Sequence, residues 1–218
     1  MAGEEVRREA REVASFEGVE LRGIGKVIVR QGEQQSVEVE AREDLLSSIV
    51  TDVEDGTLVI GFTVDWADRI VIPSGPIRFH LTMPDVKLLK IGGAGTIEAD
   101  DLETDDLTLI IRSAGAITTR SLAAGTLKVT ISGAGGTRMD GKVDRQEVTI
   151  SGAGGHDAGE LESGACAVTV KGAGGATVWA RDELKVRISG VGGVRYYGNP
   201  KLTKSISGLG GVSRLGER

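Results

Sequence analysis

Three sets of residues in this chain have types and spacings that could do chemistry. The first is a glycine-rich hexapeptide. ISGAGG stands at 131–136 and again at 150–155, with variants IGGAGT at 91, IRSAGA at 111, VKGAGG at 170, ISGVGG at 188 and ISGLGG at 206. Such a loop cradles a phosphate when a strand precedes it and a helix follows, because the helix dipole then meets the anion. The second is the pair of histidines, His80 and His156, the residue type suited to proton transfer near neutral pH and to metal ligation. The third is the pair of carboxylates Asp100 and Asp140, with Arg120 midway between them. Two acids facing each other across a cleft are the machinery of glycoside hydrolysis.

Each set has a plainer reading. After every hexapeptide the chain returns to strand-like alternation, so no helix N-terminus meets a phosphate, and the Walker spacing is absent. A calcium-binding nonapeptide fails too, since GGAGTIEAD puts Ile97 where an aspartate belongs. His80 alternates with Phe79 and Leu81 and is expected to face solvent, whereas His156 falls in an inward column between Thr137 and Ala176, as a satisfied core histidine would. The single cysteine, Cys166, excludes an internal disulfide and a cysteine-clustered metal site. Asp100, Arg120 and Asp140 alternate in sign on successive repeats and read as a charge ladder. No catalytic, cofactor-binding or metal-ligating residue is assigned, and no cofactor is expected. Pectin-lyase-like carbohydrate chemistry ranks behind the non-enzymatic readings.

The elements that carry these residues follow from the period. The first apolar residue of each hexapeptide lies at 91, 111, 131, 150, 170, 188 and 206, steps of 18 to 20 residues. A period near 20 is the mark of a solenoid. Two residues before that position stand Leu89, Leu109, Val129, Val148, Val168, Val186 and Lys204; four before it stand Lys87, Leu107, Leu127, Gln146, Cys166, Leu184 and Leu202. The residues between are mostly Thr, Lys, Glu or Ser, which is the period-two alternation of a strand. Alternation resumes after the glycines, with Ile97, Ile117, Thr137, His156, Ala176, Val194 and Val212 facing in. The expected fold is therefore all-β: a parallel β-helix with rungs of about 18–20 residues and glycine-rich tight turns, right-handed as parallel crossovers are.

The glycines read as architecture. Gly93, Gly95, Gly133, Gly135, Gly152, Gly154, Gly172, Gly174, Gly190, Gly192, Gly208 and Gly210 recur at the corner, where positive φ or the absence of a side chain is needed. The residue between each pair (Ala94, Ala114, Ala134, Ala153, Ala173, Val191, Leu209) is mostly small, as a crowded stacked slot would demand. Nine residues after the reference, the outward column that holds Asp100, Arg120 and Asp140 continues as Gly159, Trp179, Tyr197 and Leu215. Trp179, Tyr197 and Leu215 form a candidate interface or ligand patch, equally readable as a subunit contact or as terminal capping.

Residues 1–15 form a charged lead, a frayed helix or a tail, and 16–215 form one domain, irregular over 16–86 and regular over 87–215. LRGIGKV at 21–27 resembles an earlier copy of the repeat, seventy residues before the first clear one. Trp66, in WADRIVIPSGP, reads as part of a loop excursion. Of the 218 residues 33 are glycine, against about 7% in ordinary proteins, and aromatic residues make up only 3%, so aliphatic side chains must fill the core. The net charge of −6 is spread over interleaved acids and bases, with no basic stripe for a nucleic acid and no apolar run of about 20 residues to span a membrane. The opening MAGEEVRREAREVASF lacks the apolar stretch of an export signal, which leaves a cytoplasmic protein or a processed one whose native start is not Met1.

The repeated ISGAGG, the lead-in TMPDVKLLKIGGAG and the close YYGNPKLTKSISGLGGV resemble the bacterial family called putative auto-transporter adhesin, head GIN domain, over roughly 16–215. The resemblance implies a β-helix without pectin-lyase catalytic residues, and a role in adhesion at the bacterial cell envelope, periplasm or surface. It also implies a homo-oligomer, a trimer, and a glycan or surface-protein ligand. No site residues come with it. A self-assembling structural scaffold is the alternative reading.

Overall fold

The structure, a computed structural model, describes residues 5–63 and 75–218; Trp66 and the loop expected around it lie outside the described residues. Alternation places side chains as the spacing requires. In LKVTI, Leu127, Val129 and Ile131 are buried while Lys128 and Thr130 are exposed. The elements in chain order are β1 (Val6–Ala10), β2 (Gly18–Leu21), β3 (Ile24–Gln31), β4 (Ser36–Arg42), α1 (Glu43–Leu46), β5 (Ile49–Glu54), β6 (Thr57–Phe62), β7 (Arg78–Met83), β8 (Leu88–Ile91) and β9 (Ala94–Asp100). They continue with β10 (Glu103–Ile111), β11 (Ala116–Ile131), β12 (Gly136–Ile150), β13 (Gly155–Val170), β14 (Gly175–Ile188), β15 (Gly193–Tyr197), β16 (Lys201–Ile206) and β17 (Gly211–Gly216).

From β8 onward the strands stack in parallel, each on its counterpart one repeat earlier. Leu109 pairs with Leu89 and Val129, and the column runs on through Val148, Val168, Val186 and Lys204. The fold is an all-β parallel solenoid, and its core is a set of aliphatic columns inside the coil: Ile91, Ile111, Ile131, Ile150, Val170 and Ile188 are fully buried. Leucines from the return segments, Leu102, Leu122 and Leu161, close the remaining side.

The N-terminal half departs from the linear reading. LRGIGKV is not separated from the first clear repeat by intervening rungs. It lies directly against it, with Leu21 paired to Ile91 and Gly25 to Gly95. The described strands between them fold back over the other side. β6 and β7 add one more parallel layer on β2 and β3, with Ile60 on Leu21 and Phe79 on Val27. Then β5 runs antiparallel to β6, and β4 antiparallel to β7. Within the charged lead, expected as a frayed helix or a tail, Val6–Ala10 is a strand antiparallel to β4. These antiparallel pairings cover the end of the coil, which would otherwise expose a row of unpaired strand edges.

One side chain pins this cover. Glu40 on β4 accepts hydrogen bonds from Arg8 of β1 at 3.0 Å and from Arg78 of β7, and lies 3.0 Å from His80 Nε2. The histidine and the two guanidiniums hold its carboxyl down to about 2. His80, expected to face solvent, is half-buried by this contact, its side chain 26% exposed. Replacing Glu40 by glutamine removes a charge-assisted network at a partly solvated site, a loss of about 1 kcal/mol. The β1 amides should then exchange hydrogen about fivefold faster, with the β12–β14 amides unchanged; uniform exchange across the chain would contradict the pinning role.

The other end is built differently. Among the described residues β16 pairs only with β14 and β17 only with β15, so their outer edges are open. Here the inward columns change character. Lys204 stands in the Leu/Val column and Arg214 in the column of Ala158 and Val178, the latter donating to the Gly198 carbonyl at 2.6 Å. Inward-pointing charges at the last layer discourage edge-to-edge pairing.

The corners correct two expectations. An added Cβ at Gly152, Gly172 or Gly190 would sit 2.0 Å from the carbonyl oxygen of the glycine one rung earlier. These residues are not in the left-handed region, so the demand is steric rather than conformational. The residue between the glycines is not in a crowded slot. Val191 and Leu209 are 59% and 79% exposed, at the tip of the corner.

Candidate binding face

After each corner, the outward side chains of β9, β11, β12, β13, β14, β15 and β17 form columns at register positions. The column nearest the corner reads Thr96, Ala116, Gly136, Gly155, Gly175, Gly193 and Gly211. The next reads Glu98, Thr118, Arg138, Asp157, Thr177, Arg195 and Ser213. Neighbouring positions in such a column lie about 4.8 Å apart, the strand spacing of any sheet. Where the first column turns to glycine, the face sinks into a groove of about 780 Å³, lined by residues from Thr137 to Arg218. Its size is that of a ligand site.

The side chains around it hold one another in place. Arg138 Nη2 is 3.2 Å from Asp157 Oδ2. Arg218 pairs with Glu160 and stacks on the Tyr197 ring, 4.4 Å from its centroid. Asp140 Oδ1 accepts the Ser121 amide proton at 2.7 Å. Its backbone paired with Thr177 and Ser213 in the ladder, Arg195 has no side-chain ion pair or hydrogen bond among the described residues. Positive and negative side chains are balanced along the groove: Arg138, Arg195 and Arg218 against Asp140, Asp157 and Glu160.

Of the three expected patch residues, the structure brings two into the groove. Trp179 and Tyr197 are direct neighbours in register. Past Tyr196 and Arg214 the register slips, so Tyr197 pairs with Gly216 and Leu215 is bulged out, 43% exposed. Tyr197 does not stack on Trp179. Its ring reaches back across one rung and covers Gly159, where an added Cβ would meet Cε2 at 3.2 Å. Tyr197 and Leu215 line the groove; Trp179 does not, and its carbonyl accepts from Ser163 Oγ at 2.7 Å at the start of the return segment. The charge ladder is formed on its first step, Arg120 Nη1 lying 3.7 Å from Asp100 Oδ2. Arg138, Asp157, Glu160, Arg195 and Arg218 escaped the reading of the sequence. The alignment that picked out the column of Trp179 contains Arg138, Asp157 and Arg195 two positions earlier, but mixed charges there look like any solvated strand face.

The two groups most suggestive of chemistry are inside. His156 is buried between Thr137 and Gln146: Gln146 Nε2 donates to His156 Nε2 at 2.8 Å, which leaves the ring proton on Nδ1 to donate to Thr137 Oγ1 at 2.6 Å. Burial pushes the imidazole down to about 4. Cys166 donates to Gln146 Oε1 at 3.4 Å, and burial pushes its thiol up to about 12. Both ring nitrogens of His156 are committed to the core, so it offers no proton to a surface ligand. The network satisfies polar atoms where the aliphatic columns are interrupted.

The chain is therefore a parallel β-solenoid rather than a nucleotide-binding fold. The family described as "Putative auto-transporter adhesin, head GIN domain" matches residues 15–200, and the chain belongs to that family. Among solved structures it is similar to a "putative adhesin" from Bacteroides fragilis NCTC 9343, at 20% identity over 98% of this chain and 99% of that one, with a TM-score of 0.90. It is also similar to a "putative adhesin" from Parabacteroides merdae ATCC 43184 (19% identity, 97% of each chain, TM-score 0.76). A "putative lipid binding protein" from Parabacteroides distasonis ATCC 8503 aligns comparably (18%, 97% of each chain, 0.76). At these identities the likeness is one of fold. A search of curated proteins found no match.

Proposed function

We propose that this is a non-enzymatic protein of the bacterial cell envelope or surface that presents the solenoid face for binding, as an adhesin does. The observation that carries the reading is the groove itself, whose side chains are set in register by the parallel rungs and joined by the Arg138–Asp157 and Arg218–Glu160 pairs. Preorganised side chains lose little freedom on binding. The family and the neighbours named as adhesins support the same role. The lipid-binding name of the Parabacteroides distasonis neighbour does not transfer, because acyl chains need an apolar lining and this groove carries six charged side chains.

A self-assembling scaffold is the second reading, favoured by the open edges of β16 and β17 and opposed by Lys204 and Arg214 in the inward columns. An oligomer, including the trimer, belongs to that proposal. Fractionation of source cells, with mass spectrometry of the mature N-terminus, tests the first reading. The protein is expected in the envelope fraction, and labelled protein is expected to bind envelope preparations saturably. A purely cytoplasmic protein that binds none of them would overturn it and leave the scaffold. Release of reducing ends from polysaccharides, abolished by Asp140→Asn, would overturn the non-enzymatic assignment.

A further inference from the structure

Building on the surface-binding reading, we infer that the groove between Arg138 and Arg218 is a recognition site for an uncharged oligosaccharide chain lying along the solenoid face. The argument starts from its walls. Guanidinium and carboxylate groups are planar and each presents two hydrogen-bonding atoms side by side, the geometry that fits a pair of adjacent hydroxyls. In the groove they occur as balanced pairs: Arg138 with Asp157 at 3.2 Å, and Arg218 with Glu160. Each pair joins one donor and one acceptor group, and the remaining N–H groups and lone pairs face a ligand that both donates and accepts. A polyanion would meet Asp140, Asp157 and Glu160, and a polycation would meet the three arginines. A neutral polyhydroxylated chain meets no uncompensated like charge.

The depth of the groove has its own physical content. In ISGAGG and its glycine-ended variants the first two glycines are demanded by the corner, whereas the third column is mixed: an added Cβ would lie 2.9 Å from the Gly193 carbonyl oxygen at Gly175 and 3.1 Å from that of Gly155 at Gly136, but the other three positions are open. An added Cβ at Gly155 or Gly193 would meet nothing closer than 3.9 Å or 3.8 Å, and at Gly211 nothing within 4 Å. The same column carries Thr96 and Ala116 on earlier rungs, so the fold accepts side chains there. Glycine in a strand interior weakens the strand and often marks close approach by a ligand. Here it lets a slim chain reach the sheet between Arg138, Thr177 and Arg195. An extended peptide is a poorer occupant: the strands of this face already spend their amides and carbonyls on neighbouring rungs, and the glycine floor offers no apolar pocket for side chains.

Affinity electrophoresis tests the inference. The intact protein is run through gels containing neutral polymers (β-glucan, mannan, galactan, amylose) and acidic ones (polygalacturonate, hyaluronate). Retardation by at least one neutral polymer, insensitive to salt, is expected. Gly155→Phe, which fills the floor, should weaken it at least tenfold, and Arg195→Ala, a substitution on the exposed face that leaves the core untouched, at least threefold, while Arg112→Ala on the corner outside the groove changes nothing. Retardation by no neutral polymer, salt-sensitive retardation by acidic polymers alone, or full retention by Arg195→Ala would overturn the inference. The envelope-binding assay separates this failure from that of the broader reading. Binding that survives both groove variants keeps surface binding and removes the groove; no binding by the unaltered protein removes both.

Discussion

Alanine at Gly172 is expected to destabilise the protein by at least about 3 kcal/mol, whereas alanine at Gly155, three residues beyond the equivalent corner position, leaves it unchanged or slightly more stable. At Gly172 the new Cβ would lie 2.0 Å from the Gly152 carbonyl oxygen and 2.5 Å from that of Ser151. Both are backbone atoms, so no side chain can rotate away. That carbonyl also accepts the Ala173 amide at 3.0 Å, so relief by separating the rungs breaks a ladder bond. Each rung is stacked on its neighbours, and the strain at one corner spreads to the corners at Gly152 and Gly190. For a domain of this size the loss corresponds to a fall in Tm of about 6–12 °C. At Gly155 the nearest atom to a new Cβ is 3.9 Å away, and alanine there restricts the unfolded chain. Thermal denaturation of the two variants decides the matter. Equal melting temperatures would show that the corner is not sterically closed.

Acid is expected to weaken the fold well above the pH at which carboxylates protonate, and His156 is the cause. Its folded value of about 4 lies below the ordinary 6.5 because burial disfavours the imidazolium. Between those values the unfolded chain binds a proton that the folded chain refuses, so stability is full above about pH 6.5 and falls as the pH is lowered toward 4. A difference of about 2.5 units corresponds to about 3 kcal/mol. Protonation also breaks the local pattern: Nε2 would become a donor facing the Gln146 amide N–H, and that amide could turn over only by giving up its bond from Cys166. Equilibrium unfolding at pH 7.5, 5.5 and 4.5, compared with His156→Val, isolates the effect. The slope between about pH 6.5 and 5 should vanish in the variant. Carboxylates such as Glu40, lowered from 4.5 to about 2, lose their contribution from about pH 4.5 downward, so the comparison at pH 7.5 and 5.5 isolates the histidine. An identical slope in both proteins would mean that His156 does not govern it.

Most of the coil was legible without coordinates. The alternation in LKVTI, VTISG and VTVKG names which side chains point inward, and the 18–20-residue step names which columns they join. Those columns pair as aligned, through Leu109, Val129, Val148, Val168 and Val186. Strand period and repeat length are local properties, set by backbone geometry and by the need of every rung to bury the same face against the next. The inward place of His156 came from the same source.

Other features depend on segments far apart in the chain. That LRGIGKV lies against IGGAGTI, with β4, β5, β6 and β7 layered over the other side, follows from which edges remain unpaired once the coil is built, and no local pattern reports that. The reason for each glycine also needed the neighbouring rung: the corner pair is excluded from bearing a Cβ by a carbonyl some 20 residues earlier, while of the third column Gly155, Gly193 and Gly211 face open space and Gly175 does not. Tyr197 looked like one member of an aromatic stack. The slip at Leu215 and the bare surface of Gly159 sent its ring across a rung, under Arg218. The chain's own alternation decides what faces in and what faces out; only the stacking of distant segments decides which outward groups meet, because those meetings are set by contacts between rungs and not within them.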